Sequence, residues 1–275
     1  MKNILYLLSI ILIFYSCDII DPPYEENANI DTDSTTKKVL LEDFTGFRCG
    51  NCPEAGELAH EIVKDSKEQV IIMTIHAGSL ADPTPQRPYN FKTPVGNDIA
   101  NYYKLPGTPF GLINRESYNG SHLQSPSSWR TLSFLEMQKK SYIKIEPAAE
   151  YNDATREISL NAKIKFLKEY QNNMYLVAYI VEDSIIQYQK DDRKYPNTNI
   201  ENFVHMHVLR GSMNGTWGEQ ISNNTIVANS IIDKQFKYII PQDKDWKPKH
   251  LALIVAVHNN DTRVIEQVEK VYIYK

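Results

Sequence analysis

Cys49-Gly50-Asn51-Cys52 lies between an apolar run, Lys38 to Phe44 (KVLLEDF), and a helix-like segment, Pro53 to Lys64 (PEAGELAHEIVK). The only other cysteine, Cys17, ends a segment that reads as an export signal, so the exported chain carries one closely spaced thiol pair and no further thiol to pair with it. A C-x-x-C that opens a helix just after an apolar strand is the arrangement thiol–disulfide exchange requires. The partial positive charge at the helix N-terminus stabilises the thiolate of Cys49, and the short spacing lets Cys52 resolve a mixed disulfide. Taken alone the motif also reads as half of a zinc site, so its surroundings have to decide.

Outward from the motif, Lys38 to Phe44 predicts a short strand, Thr45-Gly46 a turn, and Pro53 to Lys64 a helix with Leu58, Ile62 and Val63 on its inner face. Pro53 falls in the first helical turn, where a missing N–H costs nothing. Val70 to His76 (VIIMTIH) is apolar almost throughout, as expected of a strand covered on both faces. Residues 78–95 are rich in proline, glycine and polar side chains and read as a loop or insertion. Val95 to Tyr103 then reads as helix, Phe110 to Asn114 (FGLIN) as a third strand, and Ser127 to Lys140 as a last helix capped by Ser125-Pro126.

The run Ala100-Asn101-Tyr102-Tyr103-Lys104-Leu105-Pro106-Gly107-Thr108-Pro109 resembles the helix that leads into the cis-proline strand of the thioredoxin superfamily. The resemblance implies that Pro109 is cis and packs against the C-x-x-C, with Thr108 offering its main-chain N–H and C=O to an extended substrate. It also implies that Asp43, six residues before Cys49, is a buried acid exchanging protons with the resolving thiol. A carboxyl desolvated there has a raised pKa and serves as a general base near neutral pH. The alternatives are an ordinary Gly-Thr-Pro turn with a trans bond, and an Asp43 that is a solvated strand-end residue or loop cap. The expected site is therefore Cys49, Cys52 and Asp43 as catalytic residues, with Thr108 and Pro109 binding substrate. The chain departs from the family pattern in having Arg48 where tryptophan usually precedes the first cysteine, Pro53 after the motif instead of a proline inside it, and an insertion of roughly twenty residues before the second helix. Gly50-Asn51 marks no familiar redox subgroup, which leaves reductase, oxidase and isomerase open.

A zinc site needs two more ligands, and His60 and His76 offer no matching spacing, so no metal and no other cofactor is expected. From Ile143 onward the periodicity changes to two: Ile158, Leu160, Ala162, Ile164 and Phe166 alternate with polar residues. Further strands are predicted over Ile143 to Glu150, Met174 to Glu182, Phe203 to Arg210, Ile231 to Ile240, Leu251 to Asn259 and Val264 to Tyr274. About seven strands with polar turns suit an immunoglobulin-like β-sandwich without a disulfide. The expected fold class is thus α/β plus all-β, a thioredoxin-like domain at 38–140 followed by an immunoglobulin-like sandwich at 141–275. His205-Met206-His207 places two imidazoles on one face of a predicted strand. That is a metal site if a neighbouring strand supplies a third ligand, and otherwise a polar outer face, the reading preferred because no third ligand is identifiable. The glycine-rich loop Gly211 to Gly218 carries Trp217, as a partner contact or folded back on the sandwich, and lacks the strand-to-helix context of a phosphate loop.

Residues 1–17 have a basic start at Lys2, an apolar run from Ile4 to Tyr15, and Ser16-Cys17 at the end. The run is shorter than the roughly 20 residues of a spanning helix. Its end resembles the bacterial lipobox, which implies lipidation of Cys17; the alternatives are an uncleaved anchor or an ordinary signal peptide. Residues 18–37 (DIIDPPYEENANIDTDSTTK) are acidic and polar and read as a flexible tether. The formal net charge of −4 gives no basis for binding nucleic acid. The remaining length of about 240 residues suggests two domains.

Leu40-Leu41-Glu42-Asp43-Phe44-Thr45-Gly46, Cys49 to Pro53, His207-Val208-Leu209-Arg210-Gly211 and Asn214-Gly215-Thr216-Trp217-Gly218 together resemble the outer-membrane-protein-twenty-eight-related lipoproteins (Omp28). That resemblance implies an outer-membrane or surface lipoprotein. Two functions follow as expectations. One is a lipid-anchored envelope thiol–disulfide oxidoreductase or isomerase whose partners are protein thiols and disulfides. The other is a non-catalytic surface binding lipoprotein in which the disulfide is a staple and the region of His205 and Trp217 does the binding.

Overall fold

The computed structural model describes residues 34–274, so the signal with Cys17 and most of the expected tether lie outside the described residues. In chain order the elements are β1 (Thr35–Thr36), β2 (Val39–Thr45), α1 (Cys52–Asp65), β3 (Val70–His76), α2 (Pro94–Tyr102), β4 (Phe110–Ile113), α3 (Pro126–Met137), β5 (Lys140–Ser141), β6 (Ile143–Asn152), β7 (Glu157–Phe166), β8 (Met174–Glu182), β9 (Ile185–Lys190), β10 (Asn199–His205), β11 (Val208–Ser212), β12 (Glu219–Gln220), β13 (Ile231–Ile239), β14 (Leu251–Asn259) and β15 (Ile265–Tyr272). No helix among the described residues is long and apolar enough to cross a membrane.

The expected pair of folds is overturned by the strand pairing. An eight-stranded sheet runs β15-β14-β8-β11-β3-β2-β4, with β12 added beside β8. It joins strands from both halves of the chain, so the first half is not a self-contained α/β domain and the second is not a free-standing sandwich. The junction is the parallel pair β3–β11, where Val208 faces Thr74 and the Thr74 N–H donates to the His207 carbonyl at 2.8 Å. The reason lies in the open edge of β3. A strand buried on both faces cannot leave its outer N–H and C=O groups unpaired, and β11 supplies the partner at Thr74. β8 and β14 are likewise buried along nearly their whole length, one face to each side of the sheet, which is not the half-buried strand of a sandwich.

One face of this sheet carries a core that runs across the junction: Leu40, Phe44, Met73 and Ile75 share it with Val177, Tyr179, Val181, Ile254 and Ala256, under α2. On the opposite face α1 and α3 cover Val39, Leu41, Val70 and Ile72. Further along that face a three-stranded sheet, β13-β7-β6, closes a second core over β8 and β14. Strand parity then fixes the site. Val39 and Leu41 on β2 face α1, so Asp43 and Thr45 do too; Val70 and Ile72 on β3 place Thr74 and His76 on that same side, and Asp43 lies in register with Thr74.

Candidate functional site

The loop after β2 turns through Cys49, whose N–H donates to the Gly46 carbonyl at 2.9 Å, and α1 begins at Cys52 with Pro53 in its first turn. Cys49 and Cys52 are joined as a disulfide, at 3 % and 4 % exposure. The Thr108–Pro109 peptide is cis, and the Thr108 carbonyl oxygen lies 3.6 Å from Cys49 Sγ. In the disulfide the sulfur has no proton, so this is packing; a reduced Cys49 has an S–H to donate there. Pro109 borders a groove of about 540 Å³ between α1 and the start of α3, with Asn51, Glu54, Glu57 and Arg193 along it. The structure thus brings Cys49, Cys52, Thr108 and Pro109 together.

Asp43 lies on the other side of the pair. It is 3 % exposed and its Oδ1 has no hydrogen-bond partner, although it shares with Cys52 a cleft of about 210 Å³ roofed by β10. Burial alone pushes its carboxyl up from the ordinary 3.8 to about 7. The neighbouring acid, Glu42, points to the opposite face and is fully buried there. Arg115 donates to both its oxygens, at 2.8 and 2.7 Å, and to the Tyr179 hydroxyl at 2.9 Å. Two adjacent acids therefore meet opposite fates, one paired in the core and one left alone behind the disulfide.

Sequence reasoning missed the arm that covers the cysteines. β9 and β10 form a hairpin whose connection crosses the C-x-x-C loop. Lys190 N–H donates to the Phe47 carbonyl at 2.8 Å, Gln189 Nε2 to the Cys49 carbonyl at 3.0 Å, and Asp192 N–H to the Gly50 carbonyl at 3.0 Å. A Cβ on Gly50 would lie 1.9 Å from an Asp192 carboxylate oxygen, so glycine is what lets the arm sit this close. Arg193 then clasps Glu57 of α1 with two hydrogen bonds of 2.6 and 2.8 Å. No local pattern in 185–193 announces this contact. Gly56, by contrast, leaves a readable signal, since a glycine inside a helical pattern asks for a reason.

The histidines separate. The predicted strand over Phe203 to Arg210 is broken at 206–207, where His207 takes φ 56°, so His205 and His207 do not share a face. His205 is 5 % exposed against Phe91 and His76, and burial lowers its pKa to about 4. His207 turns away to pair with Asp183 at 2.7 Å, its ring 5.1 Å from that of His60. Trp217 folds back onto the sheet between Arg115 and Arg263, and its carbonyl accepts from His258 at 2.8 Å. Arg48 reaches the Ser79 carbonyl.

The family described as outer membrane protein Omp28 has a sequence model that matches residues 97–275. Among solved structures, HBP35 of Porphyromonas gingivalis aligns over 87% of this chain and 76% of its own, at 16% identity and a TM-score of 0.66, which establishes a common fold. A domain of the outer membrane lipoprotein Omp28 from Porphyromonas gingivalis aligns over 49% of this chain and 89% of its own, at 24% identity and a TM-score of 0.33. No curated protein matches.

Proposed function

The chain belongs to the Omp28 family of outer membrane proteins, and on that premise we propose that it is an envelope protein anchored through Cys17 whose Cys49–Cys52 pair exchanges disulfides with protein thiols. The observation that carries this reading is Asp43. An unpaired carboxyl buried beside a disulfide costs several kcal/mol if ionised and gives a structural staple nothing in return. A carboxyl with a pKa of about 7 sharing a cleft with Cys52 is what a resolving thiol needs to lose its proton near neutral pH. Cys49 is the sulfur that forms the mixed disulfide, Cys52 resolves it, and Thr108 and Pro109 hold the substrate chain at the edge of the groove.

A second reading is favoured by the arm and by the family. Both sulfurs are covered, and the family is described by its place in the outer membrane, so the pair also serves as a clasp within a non-catalytic binding protein. Insulin reduction in the presence of dithiothreitol separates the two. The exchange reading expects turnover that Cys49→Ser abolishes; equal rates for wild type and Cys49→Ser leave the clasp. Cys17→Ser is expected to release the protein from membranes into the soluble envelope fraction, and retention of the variant on membranes removes the anchor from the proposal.

A further inference from the structure

Cys52, Gly56 and His60 stand at i, i+4 and i+8 on α1 and therefore form one stripe along the helix, about 12 Å from end to end. All three line the cleft that holds Asp43, with Thr74 across from them and Met206 overhead. The two ends of the stripe differ: Cys52 is buried and His60 is exposed. Between them Gly56 has open space where a Cβ would stand, with nothing within 4 Å. A glycine inside a helix costs roughly 0.5–1 kcal/mol against alanine, and neither a positive φ nor close packing requires this one. Its effect is to leave the middle of the cleft open. The volume of about 210 Å³ is enough for several waters, and Asp43, Thr74 and His60 supply polar partners for them.

We propose that this stripe is the proton exit of the resolving cysteine: Asp43 receives the Cys52 proton, waters over Gly56 carry it, and His60 delivers it to solvent. The inference rests on the exchange reading and adds its proton route. In the reduced protein the Cys49 thiolate attacks a substrate disulfide, forming the Cys49 mixed disulfide and expelling one substrate thiolate. Cys52 then gives its proton to the Asp43 carboxylate, and its thiolate attacks Cys49 Sγ. The Cys49–Cys52 bond forms, the second substrate thiolate leaves, and two electrons have passed to the substrate. Near pH 7 Asp43 already holds a proton part of the time, so it has to be emptied through the cleft before it can take the one from Cys52, and the sheet behind it is apolar core.

The groups facing the route are few. Around Asp43 these are Cys52, Glu57 and His60 from α1, His205 from β10, and His76, two residues beyond Thr74 on the same face of β3. His60 faces His207, Asp183 and Lys270; burial, then the His207 charge and Lys270, lower its pKa against the opposing pull of Asp183, so at pH 7 it passes a proton on to solvent instead of holding it.

The test uses the full chain, reduced and then mixed with oxidised glutathione, with acid quenching and mass analysis to time formation and resolution of the Cys49–glutathione disulfide. His60→Gln is expected to leave formation unchanged and slow resolution roughly fivefold or more near pH 7, with added imidazole restoring the rate. Gly56→Leu, filling the cleft, is expected to slow resolution similarly without imidazole rescue, while Gly56→Ala stays near wild type. Far-ultraviolet melting of each variant confirms that the fold is retained. Wild-type resolution rates and an unshifted pH profile in both His60→Gln and Gly56→Leu overturn the proposal, and slowing in Gly56→Leu alone overturns the role of His60. The glutathione reaction needs only a reducible pair, so a wild type that resolves through His60 yet turns over no protein substrate defeats the exchange reading and keeps the route.

Discussion

Asp43 carries the clearest consequence at the level of single residues. Its folded pKa of about 7 lies above the ordinary 3.8, so the native state holds a proton that the unfolded state has lost across that window. Stability from this group is fully present below pH 4, falls as pH rises toward 7, and is level above it. A shift of that size corresponds to on the order of 4 kcal/mol. Asp43→Asn is expected to flatten the dependence and to melt higher than wild type at pH 8, by calorimetry of the oxidised protein between pH 4 and 8. Glu42 behaves oppositely because it is paired. Arg115→Met strands a buried carboxylate and is expected to cost about 3–5 kcal/mol, much of it recovered by adding Glu42→Gln, as urea titration of the two variants beside wild type will measure. The cysteine pair and Asp43 were legible as chemistry-bearing types at meaningful spacing. Arg115 was not, because a lone arginine after a strand looks like any surface cation until Glu42 and Tyr179 are seen around it.

At the level of elements the periodicities served well. The predicted helices and most strands sit within a few residues of those found, since apolar spacing reports local burial directly. The exception is the β9–β10 arm. β10 has few buried positions, and the contacts made to the main chain of Phe47, Cys49 and Gly50 are backbone hydrogen bonds and one side-chain amide, which leave no trace in hydropathy. Gln189 is central to that cover: its Nε2 donates to the carbonyls of Cys49 and Lys190 at 3.0 and 2.9 Å. Gln189→Ala is expected to cost about 1–2 kcal/mol and to let dithiothreitol reduce the Cys49–Cys52 bond faster, as thiol alkylation of the folded protein over time will show. An unchanged reduction rate would mean that the arm does not restrict access to the sulfurs.

For the whole molecule, the assembly was the part the sequence concealed. Two runs of elements with different periodicity looked like two domains, yet pairing along an open edge is a long-range choice that no window of residues records. β3 and β11 are over a hundred positions apart. With a core shared across the junction, unfolding is expected to be a single transition, with tryptophan fluorescence and far-ultraviolet circular dichroism coincident in urea; two separated transitions would contradict the shared core. The family match begins at residue 97, after the cysteines, so it fixes the location of the protein and does not cover the Cys49–Cys52 pair.

The rung at Thr74 ties these scales together. It is the one register pair between β3 and β11, and the same residue walls the cleft behind the sulfurs. A change that loosens this rung is therefore expected to be felt in the cleft itself, where Thr74 stands among Asp43 and Cys52.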